Sequence, residues 1–302
     1  MEIVNSNPDC GIMTFFIHNT CNFKCSYCNE EHYGGSHRWP EGQTWDNYLD
    51  LIDDMKEKNK YLYIELLGGE PTLWPKFHEF VEYISDKNTF IEYETNGSRT
   101  LRYWNKLKPH QAKAHFSWHN EFTDDEHYLD VLEIMQDKVD CTAVLMMVPK
   151  AFDRARRMYD RIVQRGLRIE VIPKYTRINI SRSGYMEYDE EQHKWLTTHY
   201  YNEMKRNSID WNLPVDADVN GERVKLATMI NQGMYRFKGW TCTAGIKRLF
   251  VDVDGEIYRC TKQVGGSLGN INTVWQLPTT NITCDTDKDC ACKLETIISK
   301  WK

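Results

Sequence analysis

The sequence predicts an α/β protein: a partial (β/α)6 TIM barrel followed by a small C-terminal β-hairpin/helix domain organised around cysteines. Three observations predict it. Short β-prone runs alternate with amphipathic helical stretches from residue 12 to residue 173, and that alternation specifies parallel strands with crossover helices. The chemically unusual residues fall at the C-terminal ends of those strands, where such barrels carry their chemistry. Eight of the ten cysteines bunch into two groups, 21/25/28 and 242/260/284/290/292.

Residues 12–18, Ile-Met-Thr-Phe-Phe-Ile-His, are apolar and β-prone, a buried first strand that runs directly into the first cysteine group. Residues 29–43 hold Gly34, Gly35, Pro40 and Gly42 and read as loop. Thr44 is the expected N-cap of a helix to about Lys58, with Trp45, Tyr48, Leu49, Ile52 and Met55 on one face. A second strand, 61–67, ends in Gly68-Gly69-Glu70-Pro71, and a helix from about Pro75 to Ser85 follows. A third strand, 89–95, ends in Thr95-Asn96-Gly97; a helix near 99–107 leads to a fourth, 112–117, ending Ser117-Trp118-His119. A helix at 124–137, a strand at 140–148, a helix at 151–165 and a strand at 168–173 complete the run. Six β/α units over about 165 residues make an open arc and not a closed eight-fold barrel.

The stretch 174–235 is less patterned, with a helix near 189–206 and turns at Pro214, Asp216, Asp218 and Asn220-Gly221 around short strands. Leu249 to Tyr258 reads as a β-hairpin about Asp254-Gly255, flanked by Cys242 and Cys260, and a final helix is expected from about 293. The expected organisation is therefore a core at 1–175, a connecting segment on the substrate side at 176–238, and a cysteine-rich domain at 239–302.

Composition narrows the function classes. Charged residues are 27%, hydrophobic residues 41% and net charge −6, which is ordinary for a soluble globular protein; a broad electrostatic grip on nucleic acid is not expected, and a local basic groove stays open. No apolar run approaches the ~20 residues of a membrane span, and Met-Glu-Ile-Val-Asn-Ser-Asn-Pro lacks the pattern of a signal peptide. A cytoplasmic location follows as the expectation. In a reducing compartment, bunched thiols read as metal sites and not as a disulfide framework. Cys10 and Cys141 stand apart and read as ordinary thiols.

The first group, Cys21-Asn22-Phe23-Lys24-Cys25-Ser26-Tyr27-Cys28, is spaced C-x3-C-x2-C. Thiolates are soft ligands that hold iron–sulfur clusters, and three of them on a four-iron cluster leave one iron open to a small molecule. The competing reading is a structural zinc knot, which wants four ligands. No fourth Cys or His completes one locally, and His18 and His32 are oddly placed. The spacing and its Phe and Tyr filling resemble the radical S-adenosylmethionine (SAM) superfamily. That resemblance implies a 4Fe–4S cluster whose open iron chelates SAM. It further implies reductive cleavage of SAM to methionine and a 5′-deoxyadenosyl radical, hydrogen abstraction from a substrate, and a reductant protein of flavodoxin or ferredoxin type.

The glycines at 68 and 69 put small residues where backbone must approach a ligand, and Glu70 or nearby carbonyls are candidate acceptors for an ammonium. By resemblance, Gly68, Gly69, Glu70 and Pro71 hold the amino group of SAM. The third and fourth strand ends, with Thr95, Asn96 and Ser117, contact its carboxylate and ribose; capping of the following helices is the alternative. Tyr27 is expected to pack at the cluster and offer backbone to the adenine. His119 is a candidate proton carrier. Lys174 and Arg177 are candidates to grip the SAM carboxylate or an anionic substrate, against a reading as surface charge.

Cys242-x12-Gly255-x4-Cys260 is similar to the opening of the SPASM/Twitch extension found in part of that superfamily. The resemblance implies one auxiliary 4Fe–4S cluster, with Cys284, Cys290 and Cys292 as further ligands to it. Five thiols stand for four positions, and a zinc ribbon is the competitor. Relatives with this extension often modify peptides or protein side chains, and others act on aminosugars or nucleotides. The cluster loop begins at residue 21, so no N-terminal peptide-recognition domain is expected, which weighs against a peptide substrate unless a separate recognition protein serves. A peptide or protein substrate is the leading expectation, and a small polar metabolite or nucleotide is the alternative, which a basic lining at Lys174, Arg177 and Arg182 favours. A non-catalytic iron–sulfur carrier or zinc module is the reading from another class, and the Gly-Gly-Glu-Pro turn argues against it.

Overall fold

The computed structural model describes residues 2–28, 39–173, 188–206, 216–225, 229, 234–290 and 297–302. After a short strand β1 (Glu2–Asn5), β and α elements alternate: β2 (Cys10–Phe16), α1 (Gln43–Lys58), β3 (Tyr61–Leu67), α2 (Phe77–Ile84), β4 (Thr89–Thr95), α3 (Leu101–Lys106), β5 (Ala112–Trp118), α4 (Asp125–Met135), β6 (Asp140–Met147), α5 (Phe152–Gln164) and β7 (Ile169–Pro173). Strands β2 to β7 are parallel neighbours in chain order, which is the predicted open arc of six. The pairing follows the pattern of the residues. Ile91 and Tyr93 of β4 join the core beneath the helices, so Glu92 and Glu94 beside them face the inside of the arc. The buried stripe of α1, Tyr48, Leu51, Ile52 and Met55, has helical spacing and packs on the other face of the sheet.

Two local expectations are corrected. β2 begins at Cys10, two residues ahead of the predicted start, because Cys10 and Gly11 already pair with Tyr61 and Leu62. Thr44 does not cap α1. The helix follows Gly42 without a side-chain cap, and the Thr44 hydroxyl donates to Asn272 Oδ1 at 2.8 Å.

Beyond the arc lie α6 (Glu190–Arg206), the β-hairpin β8 (Asp216–Val219) and β9 (Glu222–Lys225), then β10 (Thr241–Cys242), β11 (Arg248–Val251), β12 (Glu256–Tyr258), β13 (Ser267–Asn270), β14 (Ile282–Thr283) and β15 (Lys300–Trp301). The predicted hairpin about Asp254-Gly255 is β11–β12. β11 lies parallel to β2, with Leu249 opposite Met13, so the hairpin and β13 extend the barrel sheet to nine strands. A second sheet, ordered β14-β10-β15-β1-β8-β9, is antiparallel. Its Ile3, Ala217 and Cys242 share a core with Ile12, Tyr63 and Phe90, which sit in the N-terminal halves of the barrel strands. The C-terminal strand ends are left for the cavity described next. The helix expected from about 293 falls largely outside the described residues, and the end of the chain returns as β15. Among the described residues no helix is long and apolar enough to cross a membrane.

Candidate active site

At the C-terminal ends of β2 to β6 a cavity of about 280 Å³ opens. Cys21, Cys25 and Cys28 line it, together with Gly68, Gly69 and Glu70, Thr95 and Asn96, Ser117 and His119. Residues spread over nearly a hundred positions of sequence are thus brought to one wall by parallel strands in register.

The turn after β3 is tied to the chain entering the cysteine loop. Gly69 N–H donates to His18 O at 2.8 Å and Glu70 N–H to Thr20 O at 2.9 Å. Gly68 has φ +149°, and a Cβ there would lie 2.3 Å from His18 O, so only glycine permits this approach. Glu70 is 1% exposed, and its carboxylate accepts from Thr72 N at 3.1 Å, Thr72 Oγ1 at 2.5 Å, Thr95 Oγ1 at 2.7 Å and Asn96 N at 2.6 Å. Burial raises this carboxyl above the usual range, and the four donors oppose that rise. Because the carboxylate is taken up within the protein, the acceptors this turn offers an ammonium are main-chain carbonyls. Pro71 is buried at the start of a short helical turn, Pro71–Leu73, off the cavity wall.

Asn96 couples the end of β4 to the thiols. Its Nδ2 donates to Asn22 Oδ1 at 3.0 Å and reaches Cys21 Sγ at 3.8 Å. Phe23 N–H donates to Cys21 Sγ at 3.4 Å. The capping alternative does not hold for these strand ends: Thr100 caps α3 and Asp124 caps α4. Ser117 is buried on the cavity wall. Burial pushes the Cys21 thiol up to about 11 and the Cys25 thiol up to about 12.

Tyr27, within the loop, is buried, with its hydroxyl 2.9 Å from His119 Nδ1 and its ring stacked on the imidazole. Phe23 meets the same imidazole edge-on. Glu121 holds the middle of the loop, accepting from Ser26 N at 2.9 Å and from the Ser26 hydroxyl. Glu121, and Glu94 on the cavity wall, carry no sequence signal; only their position after a strand end and the in–out alternation of β4 point to them. His18, weighed as a zinc ligand, instead uses Nδ1 to accept from Thr20 N at 3.2 Å, and burial holds it down at about 4. His32, Lys174, Arg177 and Arg182 lie outside the described residues.

The second thiol group forms its own cavity, of about 30 Å³, lined by Cys242, Cys260, Cys284 and Cys290. Main-chain bonds fix two of them: Cys284 N to Trp240 O at 2.8 Å and Cys290 N to Tyr235 O at 2.7 Å. Cys292 lies outside the described residues. Among the described residues no two cysteines are joined in a disulfide. Among the described residues no three His, Cys, Asp or Glu side chains close on one point as the ligands of a single ion do; both sets of thiols are spread round cavity walls. Soft donors around a shared space are a donor set that fits a thiolate-held cluster.

Residues 15–162 match the family described as the radical SAM superfamily. The chain is 30% identical over 87 residues to the mycofactocin maturase MftC of Mycobacterium tuberculosis (strain CDC 1551 / Oshkosh), covering 29% of this chain and 21% of that protein. It therefore spans about a fifth of the length of the mycofactocin maturases it matches. It is 26% identical over 205 residues to the 7-carboxy-7-deazaguanine synthase of Thermoplasma acidophilum, covering 59% of this chain and 92% of that protein. Among solved structures, the fold is similar to native anSMEcpe with bound AdoMet and Kp18Cys peptide, with a TM-score of 0.57 at 18% identity, over 96% of this chain and 82% of that one. It is also similar to Streptococcus suis SuiB bound to S-adenosylmethionine, with a TM-score of 0.54 at 13% identity, over 88% and 62% of the two chains.

Proposed function

We propose that this chain, whose residues 15–162 match the radical SAM superfamily, cleaves SAM reductively in the strand-end cavity to modify a peptide or protein side chain oxidatively, assisted by one auxiliary 4Fe–4S cluster. The observation that carries the reading is the shared cavity: three thiols, a glycine turn and the polar ends of β4 and β5 open on one space of about 280 Å³. When bound there, a 4Fe–4S cluster with SAM at its open iron supplies the electron and the carbon radical that protein side chains do not provide.

The residues present divide the remaining work. Cys21, Cys25 and Cys28 are the ligands, and Asn96 and the Phe23 N–H orient Cys21. Carbonyls of the Gly68-Gly69-Glu70 turn accept from the SAM ammonium, and Asn96 and Ser117 face its carboxylate and ribose. Phe16, Leu67 and Met146 line the same cavity and exclude water from a reactive centre. His119, on the wall, is the group placed to carry a proton. Cys242, Cys260, Cys284 and Cys290 hold the auxiliary cluster, with Cys292 as the further candidate, and a complete thiolate shell makes that cluster an electron-transfer site and not a substrate-binding one. A flavodoxin or ferredoxin type protein is the reductant.

For the substrate, a peptide is supported by the maturase relatives and by the neighbours named with bound peptides, anSMEcpe with Kp18Cys and SuiB with its precursor SuiA. A second reading, a small polar nucleotide-like substrate, is supported by the synthase match that covers 92% of that relative. Anaerobic reconstitution followed by dithionite and SAM tests the core of the proposal. The expected result is about eight irons per chain and 5′-deoxyadenosine. About four irons removes the auxiliary cluster. Iron without deoxyadenosine, with peptides or with small metabolites present, makes the chain an electron carrier instead. The mass change of an added peptide or nucleotide separates the two substrate readings.

A further inference from the structure

We propose that Lys300 is a built-in counter-cation for the four-thiol cavity, and that its ammonium sets the reduction potential of the cluster held there. The proposal rests on the reading of Cys242, Cys260, Cys284 and Cys290 as cluster ligands.

Lys300 is 1% exposed, an unusual place for an ammonium. It lies in β15, directly opposite Cys242 of β10 across an antiparallel pair, so the two side chains leave the sheet on the same face. Both line the cavity. β15 is also paired with β1 on its other side, which fixes the backbone and keeps the side chain from swinging out. The ammonium sits 4.2 Å from the ring centroid of Phe237, another wall residue, and the ring face holds it in place.

Among the described residues the charge of the wall has one sign. Among the described residues that line the cavity, the charged side chains are Lys262, Lys288 and Lys300, with no carboxylate. Lys262 is half-buried and Lys288 exposed, so water screens both, whereas the field of Lys300 acts at low dielectric. A buried ammonium is costly unless it faces negative charge. Four thiolates around an iron–sulfur core leave a net negative charge, which grows by one on reduction. A fixed cation at this position therefore favours the reduced form and raises the potential, since net charge is one of the levers that set it.

The test uses the full chain with Cys21→Ser, Cys25→Ser and Cys28→Ser, so that only the second site loads, and reads iron content and the potential by dye-mediated titration. In that background Lys300→Met is expected to lower the potential by at least tenfold in the redox equilibrium, 59 mV for one electron. Lys300→Arg is expected to keep it, and Lys262→Met to shift it less than Lys300→Met. Loss of iron in Lys300→Met with full loading and unchanged potential in Lys300→Arg also supports the assignment, because charge is then what the site requires. An unchanged potential in Lys300→Met overturns it, as does equal loss of iron in the Met and Arg variants while both stay folded. If the parent triple variant binds no iron, the cluster reading itself fails and this proposal falls with it; a parent that loads separates the two failures.

Discussion

Glu70 and Asn96 are 26 residues apart in sequence and are joined at 2.6 Å, the Asn96 N–H donating to Glu70 Oε2. Through this bond the turn after β3 holds the end of β4, and Asn96 in turn reaches Cys21 and Asn22. The carboxylate is thus a staple between strand ends that also aligns the thiol loop. Glu70→Gln puts an amide donor against donors that the carboxylate now satisfies. It should cost about 1–3 kcal/mol of stability in urea unfolding and weaken SAM binding by calorimetry. A variant with unchanged stability would show that the staple carries no energy.

Gly68→Ala tests the close approach of two backbones. The left-handed φ of +149° and the carbonyl of His18 at 2.3 Å leave no room for a methyl group. Strain of about 1–3 kcal/mol is expected, together with displacement of the Gly69–His18 hydrogen bond and poor iron retention after reconstitution. Wild-type unfolding and iron content in this variant would contradict the geometry.

The two thiol groups should separate in function. Cys25→Ala is expected to abolish 5′-deoxyadenosine formation, because it removes one of the three thiols that line the strand-end cavity. Cys260→Ala, in the other cavity, should retain some SAM cleavage and stop product formation. Equal loss of deoxyadenosine in both variants would merge the two sites into one.

His119 and Tyr27 share a hydrogen bond, and only His119 lines the cavity. Tyr27→Phe should cost about 1 kcal/mol of stability and leave product formation within a few-fold. His119→Ala should leave deoxyadenosine formation in place while product falls by about 10²–10⁴-fold, the usual contribution of a positioned acid or base. Retention of product in His119→Ala would remove it from the chemistry.

Burial holds His18 and His78 down at about 4, below the ordinary 6.5, so the unfolded chain binds these protons first. The stability they confer is present above pH 6.5 and is lost as pH falls from 6.5 toward about 4. For His18, fully buried, the loss amounts to roughly 3 kcal/mol. Urea unfolding of the metal-free chain across this range should show the slope, and His18→Gln should flatten part of it.

Much of the architecture was legible in the residues. Strands 61–67 and 89–95 match to the residue, because alternating and continuous apolar runs are bounded by Gly-Gly and Asn-Gly. Helix α5 falls within the predicted 151–165, and its buried Phe152, Ala155, Met158, Tyr159 and Ile162 recur at helical spacing. β1 and β15 escaped, since strands of four and two residues have no periodicity to read. Thr44 misled because a threonine before an apolar stripe has the composition of a cap, while the chain entering from Gly42 places it inside the first turn.

By itself the sequence determined the local facts: which runs form strands or helices, and that thiols at C-x3-C-x2-C spacing sit within one loop. These depend on neighbours in the chain, whose spacing is printed in the sequence. The tertiary structure alone decided that the Glu70 carboxylate is turned onto Thr95 and Asn96, that Glu121 holds Ser26, and that Lys300 is buried opposite Cys242. Each of those depends on the register of segments far apart in the chain, and register is set by the packing of the whole sheet, which no short stretch of residues contains.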